Sequence, residues 1–97
     1  MNENNLKEFM EIKREDVIEV IKHIIKNSCG INNVGNTESL FNKKGIDSIT
    51  MLYIINEVEN KYNIRIPDDE LLISNFETIN QIASLVCRLV GKEEKNV

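Results

Sequence analysis

The chain contains no tryptophan, one histidine, one proline and two cysteines, and no apolar run approaches the eighteen or so residues of a membrane-spanning helix. Each scarcity excludes something. With His23 as the sole imidazole, no adjacent general base can be named for a catalytic serine, which argues against a serine hydrolase. Cys29 and Cys87 form no CxxC pair and share no ligand spacing with His23, so no metal site is expected. The first thirty residues lack a secretory apolar stretch and a small-residue cleavage site, and the expected compartment is the cytoplasm. A disulfide is out of place there, and Cys87, inside an apolar helical stripe, reads as a small buried hydrophobe. Basic charge is scarce as well, since 12 Lys and Arg face 16 Asp and Glu for a net charge of −4. That leaves no electrostatic footprint for nucleic acid.

What remains is a chain of 97 residues, 41% of them hydrophobic, which suffices for one small core. Such a domain buries only roughly 60–65% of its unfolded surface, so a generous enzyme cleft competes with the core for the same side chains. A monomeric module acted on by other proteins is the expectation, without membrane insertion. Apolar residues recur at helical spacing in three stretches, and the predicted fold is all-α: a small four-helix bundle of three main helices and one short third helix, with a long loop between helices 1 and 2.

The first helix carries Val17, Ile18, Val20, Ile21, Ile24 and Ile25 and is predicted to stop at Gly30, which can adopt the left-handed conformation that ends helices. Its start stays open over residues 5–15. Leu6, Phe9, Met10 and Ile12 fit either an earlier turn or a separate segment, and Asn5 with Glu8 has the spacing of a cap. Residues 1–12 are therefore set apart as an extension, 13–91 as the domain, and 92–97 as a charged, frayed tail. From Ser28 to Asp47 no periodicity survives, and Ile31, Val34, Leu40 and Phe41 are expected to pin that loop to the core.

The second helix is predicted over about Ser48–Tyr62, with Ile49, Leu52, Ile55, Val58 and Tyr62 as its core face. Pro67 and the acids Asp68, Asp69 and Glu70 suit the first turn of a short helix over about 68–73. Thr78 and Gln81 form a capping box for the last helix, whose stripe of Ile79, Ile82, Ala83, Val86, Leu89 and Val90 runs to Gly91. His23 falls off the apolar face of helix 1 and is expected to be exposed.

Gly45-Ile46-Asp47-Ser48-Ile49 places an acid and a hydroxyl at the entrance of an apolar helix. Either Asp47 or Ser48 can cap it. In both registers a phosphate on the serine oxygen sits over unpaired N–H groups at the positive end of the helix. Taken alone, however, an Asp-Ser pair before a helix is ordinary capping chemistry.

The wider pattern says more. Leu40-Phe41-Asn42-Lys43-Lys44-Gly45-Ile46-Asp47-Ser48-Ile49, followed by Ile64-Arg65-Ile66-Pro67-Asp68-Asp69-Glu70-Leu71, resembles the acyl and peptidyl carrier protein family over roughly residues 14–90. The shared features are Gly-x-Asp-Ser followed by Leu or Ile, the Ile-Pro-Asp segment and a last helix opened by Thr. The resemblance implies that Ser48 is the acceptor of 4′-phosphopantetheine, delivered from coenzyme A by a phosphopantetheinyl transferase with magnesium. Gly45, Asp47 and Ile49 then complete the attachment motif, and Asp47 is a candidate helper of that magnesium. It also implies a non-catalytic carrier, holding an acyl, aminoacyl or peptidyl thioester for loading and condensing enzymes that dock beside Ser48 on helix 2. Ile54, Val58, Ile66 and Leu71 read either as plain core or as the lining of an acyl groove.

Departures from the family pattern concern charge. Lys44 stands before Gly45 where the family usually has an apolar residue, with Lys43 beside it. Tyr53 and Lys61 occupy positions that are commonly acidic in fatty acid carriers, leaving Glu57 and Glu59 as the acids of helix 2. Lys43 and Lys44 read as a solvated loop pair, or as contacts for the phosphate or an acidic partner. This thinning favours a dedicated nonribosomal peptide, polyketide or D-alanyl transfer pathway, with the primary carrier of type II fatty acid synthesis as the alternative. A helical interaction domain without cofactor is the remote one.

Overall fold

The apolar stripes dictate which faces turn inward. In the computed structural model, which describes residues 12–95 and side chains as far as Gly91, α1 spans Arg14–Cys29, α2 Ser48–Tyr62 and α3 Ile79–Lys95. Between α2 and α3 lie two single-turn 3-10 segments, Asp68–Glu70 and Ile73–Asn75. The fold is all-α. Leu6, Phe9, Met10 and the Asn5–Glu8 spacing lie outside the described residues.

Helix α1 buries Val17, Ile18, Ile21 and Ile25, while Val20 and Ile24 flank that face half-buried. Glu15 and Asp16 in its first turn and Lys26 in its last complement the helix dipole. Gly30 ends it as expected, at φ 71° with its N–H donated to the Lys26 carbonyl at 2.8 Å. The Arg14 guanidinium donates to Ser84 Oγ at 2.9 Å and to the Asn80 carbonyl at 3.0 Å, tying the start of α1 to α3. His23 is exposed.

The capping box of α3 forms reciprocally: Gln81 N–H donates to Thr78 Oγ1 at 3.2 Å and Thr78 N–H to Gln81 Oε1 at 3.1 Å. Ile79, Ile82, Ala83, Leu85, Val86 and Leu89 are buried behind it. Helix α3 does not stop at Gly91. It continues to Lys95, because a glycine without a positive φ costs a helix only about 1 kcal/mol against alanine and does not terminate it. Cys29 and Cys87 are both free thiols, half-buried at the margin of the core, and burial raises the pKa of each.

Two expectations need correction. The core face of α2 is Met51, Ile54, Ile55 and Val58, whereas Ile49 is 79% exposed and Leu52 59% exposed. Steps of three residues drift by about 60° each on a helix of 3.6 residues per turn, so Ile49, Leu52 and Ile55 do not share one side. Nor does a single helix cover 68–73. The Glu70 carbonyl, which an α-helix would offer to the Ser74 amide, accepts instead from Leu72 N–H and from Asn75 Nδ2, both at 2.8 Å. Leu72 is extended, and the segment splits into the two 3-10 turns.

Candidate functional site

The approach to α2 is built by residues 30–47. Val34, Leu40 and Ile46 are buried and Ile31 and Phe41 half-buried, which fastens the loop from below as their spacing suggested. Backbone bonds fix its path: Leu40 N–H donates to the Glu77 carbonyl at 2.8 Å, Asn80 N–H to the Asn36 carbonyl at 3.0 Å, and Ile46 N–H to the Leu40 carbonyl at 3.0 Å. The Ser39 hydroxyl adds a bond to the Glu77 carboxylate at 2.6 Å. Gly45 turns the chain at φ 70°, where a side chain is strained by the backbone even though the space beside it is open.

Ile46 then dips into the core and Asp47 rises as the N-cap, extended at φ −88° and ψ 175°. Asp47 Oδ1 accepts the Thr50 N–H at 2.8 Å, which settles the capping register in favour of Asp47. That bond, with a further one to the Thr50 side chain, holds the Asp47 carboxyl below its ordinary range. Ser48 is the first residue of α2, exposed and relieved of capping. An anion on its hydroxyl meets the positive end of the helix, an arrangement that contributes about 0.3–1 kcal/mol at a surface. These residues fit a phosphodiester on Ser48. Ile49 also points outward, so Gly45, Asp47, Ser48 and Ile49 form one continuous exposed ledge.

The lysines of the loop divide. Lys43 is exposed as expected of a solvated loop residue, whereas Lys44 is half-buried with its Nζ 3.6 Å from Glu38 Oε1. Glu38 is held below the ordinary carboxylate range chiefly by the Gly35 N–H at 2.6 Å and further by Lys44.

Beside Ser48 runs a groove of about 200 Å³ between α2 and the 3-10 segments, lined by Phe41, Ser48, Met51, Leu52, Ile55, Leu71, Leu72, Ile73 and Phe76. Ile54, Val58 and Ile66 lie outside it, buried as plain core, and of the four residues suggested for an acyl groove Leu71 alone lines this one. The sequence reading missed Leu72, Ile73 and Phe76. A signal was present, because Leu71-Leu72-Ile73 is a contiguous apolar run in a stretch without a helical face to bury it. It also missed Glu59, whose carboxylate turns back to accept the Ile66 N–H at 2.8 Å and shapes the exit from α2. Asn63, left-handed at φ 52°, caps that exit. Among the described residues no group of three His, Cys, Asp or Glu is placed to hold a metal, and no helix is long and apolar enough to cross a membrane.

Comparison with known proteins identifies the family. The family described as "Phosphopantetheine attachment site" matches residues 19–86. An acyl carrier protein of Tropheryma whipplei is 38% identical over 64 residues, covering 64% of this chain and 78% of that protein. The meromycolate extension acyl carrier protein of Mycobacterium leprae is 29% identical over 89 residues, covering 90% of this chain and 73% of the relative. An acyl carrier protein of Acidothermus cellulolyticus is 27% identical over 79 residues, covering 79% and 92%. A match over more than half the chain, joined to these relatives, places the protein in the acyl carrier protein family, as a non-catalytic carrier of covalently attached 4′-phosphopantetheine.

Proposed function

We propose that Ser48 is the attachment residue, loaded by a phosphopantetheinyl transferase, and that the loaded protein presents an acyl thioester to a dedicated set of partner enzymes. The observation that carries the reading is the division of labour at the head of α2. Asp47 caps the helix, and the Ser48 hydroxyl is left exposed at its positive end. In the loading step Ser48 Oγ loses its proton and forms a bond to phosphorus, while the nucleotide half of coenzyme A leaves. The attached arm supplies a terminal thiol for the thioester. This chain supplies an address: a tethered substrate meets its enzymes at high effective concentration, so docking can be weak and exchange fast.

The relatives' names favour an acyl cargo over an aminoacyl or peptidyl one. A dedicated pathway is supported by the sparse acidity of α2, where Glu57 and Glu59 are the only carboxylates and Glu59 is engaged by the Ile66 amide. The second reading, a primary carrier of fatty acid synthesis, draws on the relatives named simply acyl carrier protein. Domain limits of 13–91, work as a monomer and a cytoplasmic setting belong to the proposal too. Incubation with coenzyme A, magnesium and a broad-specificity transferase should add one phosphopantetheine to the wild type and none to Ser48→Ala. Unmodified wild type would overturn the reading. Rapid malonylation of the loaded protein by a fatty acid malonyl transferase would select the second one.

A further inference from the structure

The single imidazole of the chain, His23, does not stand alone. On α1, Glu19, Lys22, His23 and Lys26 follow one another at i, i+3, i+4 and i+7, one stripe of the helix surface set off from the buried Val17, Ile21 and Ile25. Gly30 at φ 71° and Asn33 at φ 59° bend the chain beyond the helix, and residues 31–34 border that stripe across a cleft of about 300 Å³.

The lining is rich in donors. Lys22, His23 and Lys26 contribute two ammonium groups and an imidazole from α1, and Asn32 and Asn33 contribute side-chain amides from the other wall. Glu19 is the one carboxylate of the lining, 3.9 Å from Lys22, while Lys26 belongs to no ion pair among the described residues. Two cations against one acid make this a basic spot on a chain of net charge −4. Ile31, half-buried, and Val34, buried, add apolar wall, which a merely solvated charged face lacks. The volume lies at the lower end of the roughly 300–1,000 Å³ of small-molecule sites, room for one phosphate with a small organic body.

We infer that this cleft binds a small organic phosphomonoester, with Lys22 and Lys26 as point charges on the phosphate oxygens, His23, Asn32 and Asn33 as further donors, and Ile31 and Val34 against the organic body. A phosphomonoester brings close to two charges and three acceptor oxygens, which matches this donor set better than the single charge of a carboxylate. The inference is independent of the Ser48 reading, since no residue lines both this cleft and the groove beside Ser48.

Heteronuclear NMR titration of the full chain with phenyl phosphate, inorganic phosphate and benzoate, at matched ionic strength, tests it. Phenyl phosphate should give saturable shifts centred on the amides of residues 22–26 and 31–34, and should bind more tightly than inorganic phosphate, which lacks the apolar body, and than benzoate, which lacks the second charge. Lys22→Gln and Lys26→Gln should each weaken it about threefold, and the double variant should lose saturable binding. Glu19→Gln should tighten it about twofold by removing the opposing carboxylate, and Lys61→Gln, exposed on α2, should leave it unchanged. Thermal melts confirm that these surface variants fold. Shifts that do not saturate, or that sodium chloride reproduces, overturn the inference in favour of unspecific screening. Saturable shifts centred on residues 48–50 overturn it in favour of the head of α2, and benzoate binding as tightly as phenyl phosphate overturns the assignment of a phosphate. Loading of Ser48 is untouched by any of these results.

Discussion

Among the described residues, 30–47 and 63–78 are the two irregular connections between helices, similar in length and opposite in what they do with apolar side chains. The first draws Val34, Leu40 and Ile46 inward and bonds its backbone to Glu77 and Asn80 at the head of α3. The second anchors itself at its ends through Ile64, Ile66 and Phe76 and leaves Leu71, Leu72 and Ile73 outside. One connection holds the Ser48 ledge still. The other leaves an apolar strip at the surface beside the same ledge. A carrier needs both, since its attachment point must be presented reproducibly and its partners must recognise the ground around it.

The largest way to break that contrast is Leu40→Ala. Leu40 is fully buried in the first connection, so its truncation should cost about 2–5 kcal/mol, measured by chemical unfolding. Leu72→Ala, in the second, should stay within about 0.5 kcal/mol because the side chain is exposed. Equal costs would erase the distinction. Next comes Glu59→Ala, which deprives the Ile66 amide of its acceptor and should cost about 1–2 kcal/mol in the same measurement.

Acid sharpens the comparison from the side of the first connection. The carboxyls of Asp47 and Glu38 are held below their ordinary values, so the stability they contribute is present above the ordinary carboxylate range of about 4 and is lost as pH falls through their lowered values. Asp47→Asn retains a good cap but does not titrate, and should flatten the acid limb of the melting temperature against pH without much change at neutrality. A wild-type acid limb left intact in Asp47→Asn would show that other carboxyls dominate it. The smallest effect is expected from Arg88→Gln. Its pair with Glu70 at 2.9 Å is part-exposed, so the loss should be no more than about 1 kcal/mol and should shrink with added salt.

The residues show why some of this was legible in sequence and some was not. The faces of α1 and α3, the Gly30 stop and the Thr78–Gln81 box rest on local rules, and the structure carries them out without tertiary interference. Asp47 and Ser48 were readable as a pair at a helix entrance, but only the Thr50 hydrogen bond decides which of them caps. Helix α2 was misread because apolar residues occur nearly all around its first turns. Ile49 and Leu52 stand exposed close to Ser48, and spacing alone does not separate a buried apolar face from an exposed one. The split of 68–75 depends on Asn75 reaching the Glu70 carbonyl, a side-chain competition that helix signals in the acids of the first turn do not report.

The central claim is that the first connection and the Asp47 cap exist to present Ser48 for modification. Peptide mapping by tandem mass spectrometry, after loading of the wild-type protein from coenzyme A, tests it most directly. The account predicts phosphopantetheine on Ser48 alone. Its appearance on Ser28, Ser39, Ser74 or Ser84, with Ser48 unmodified, would contradict the account.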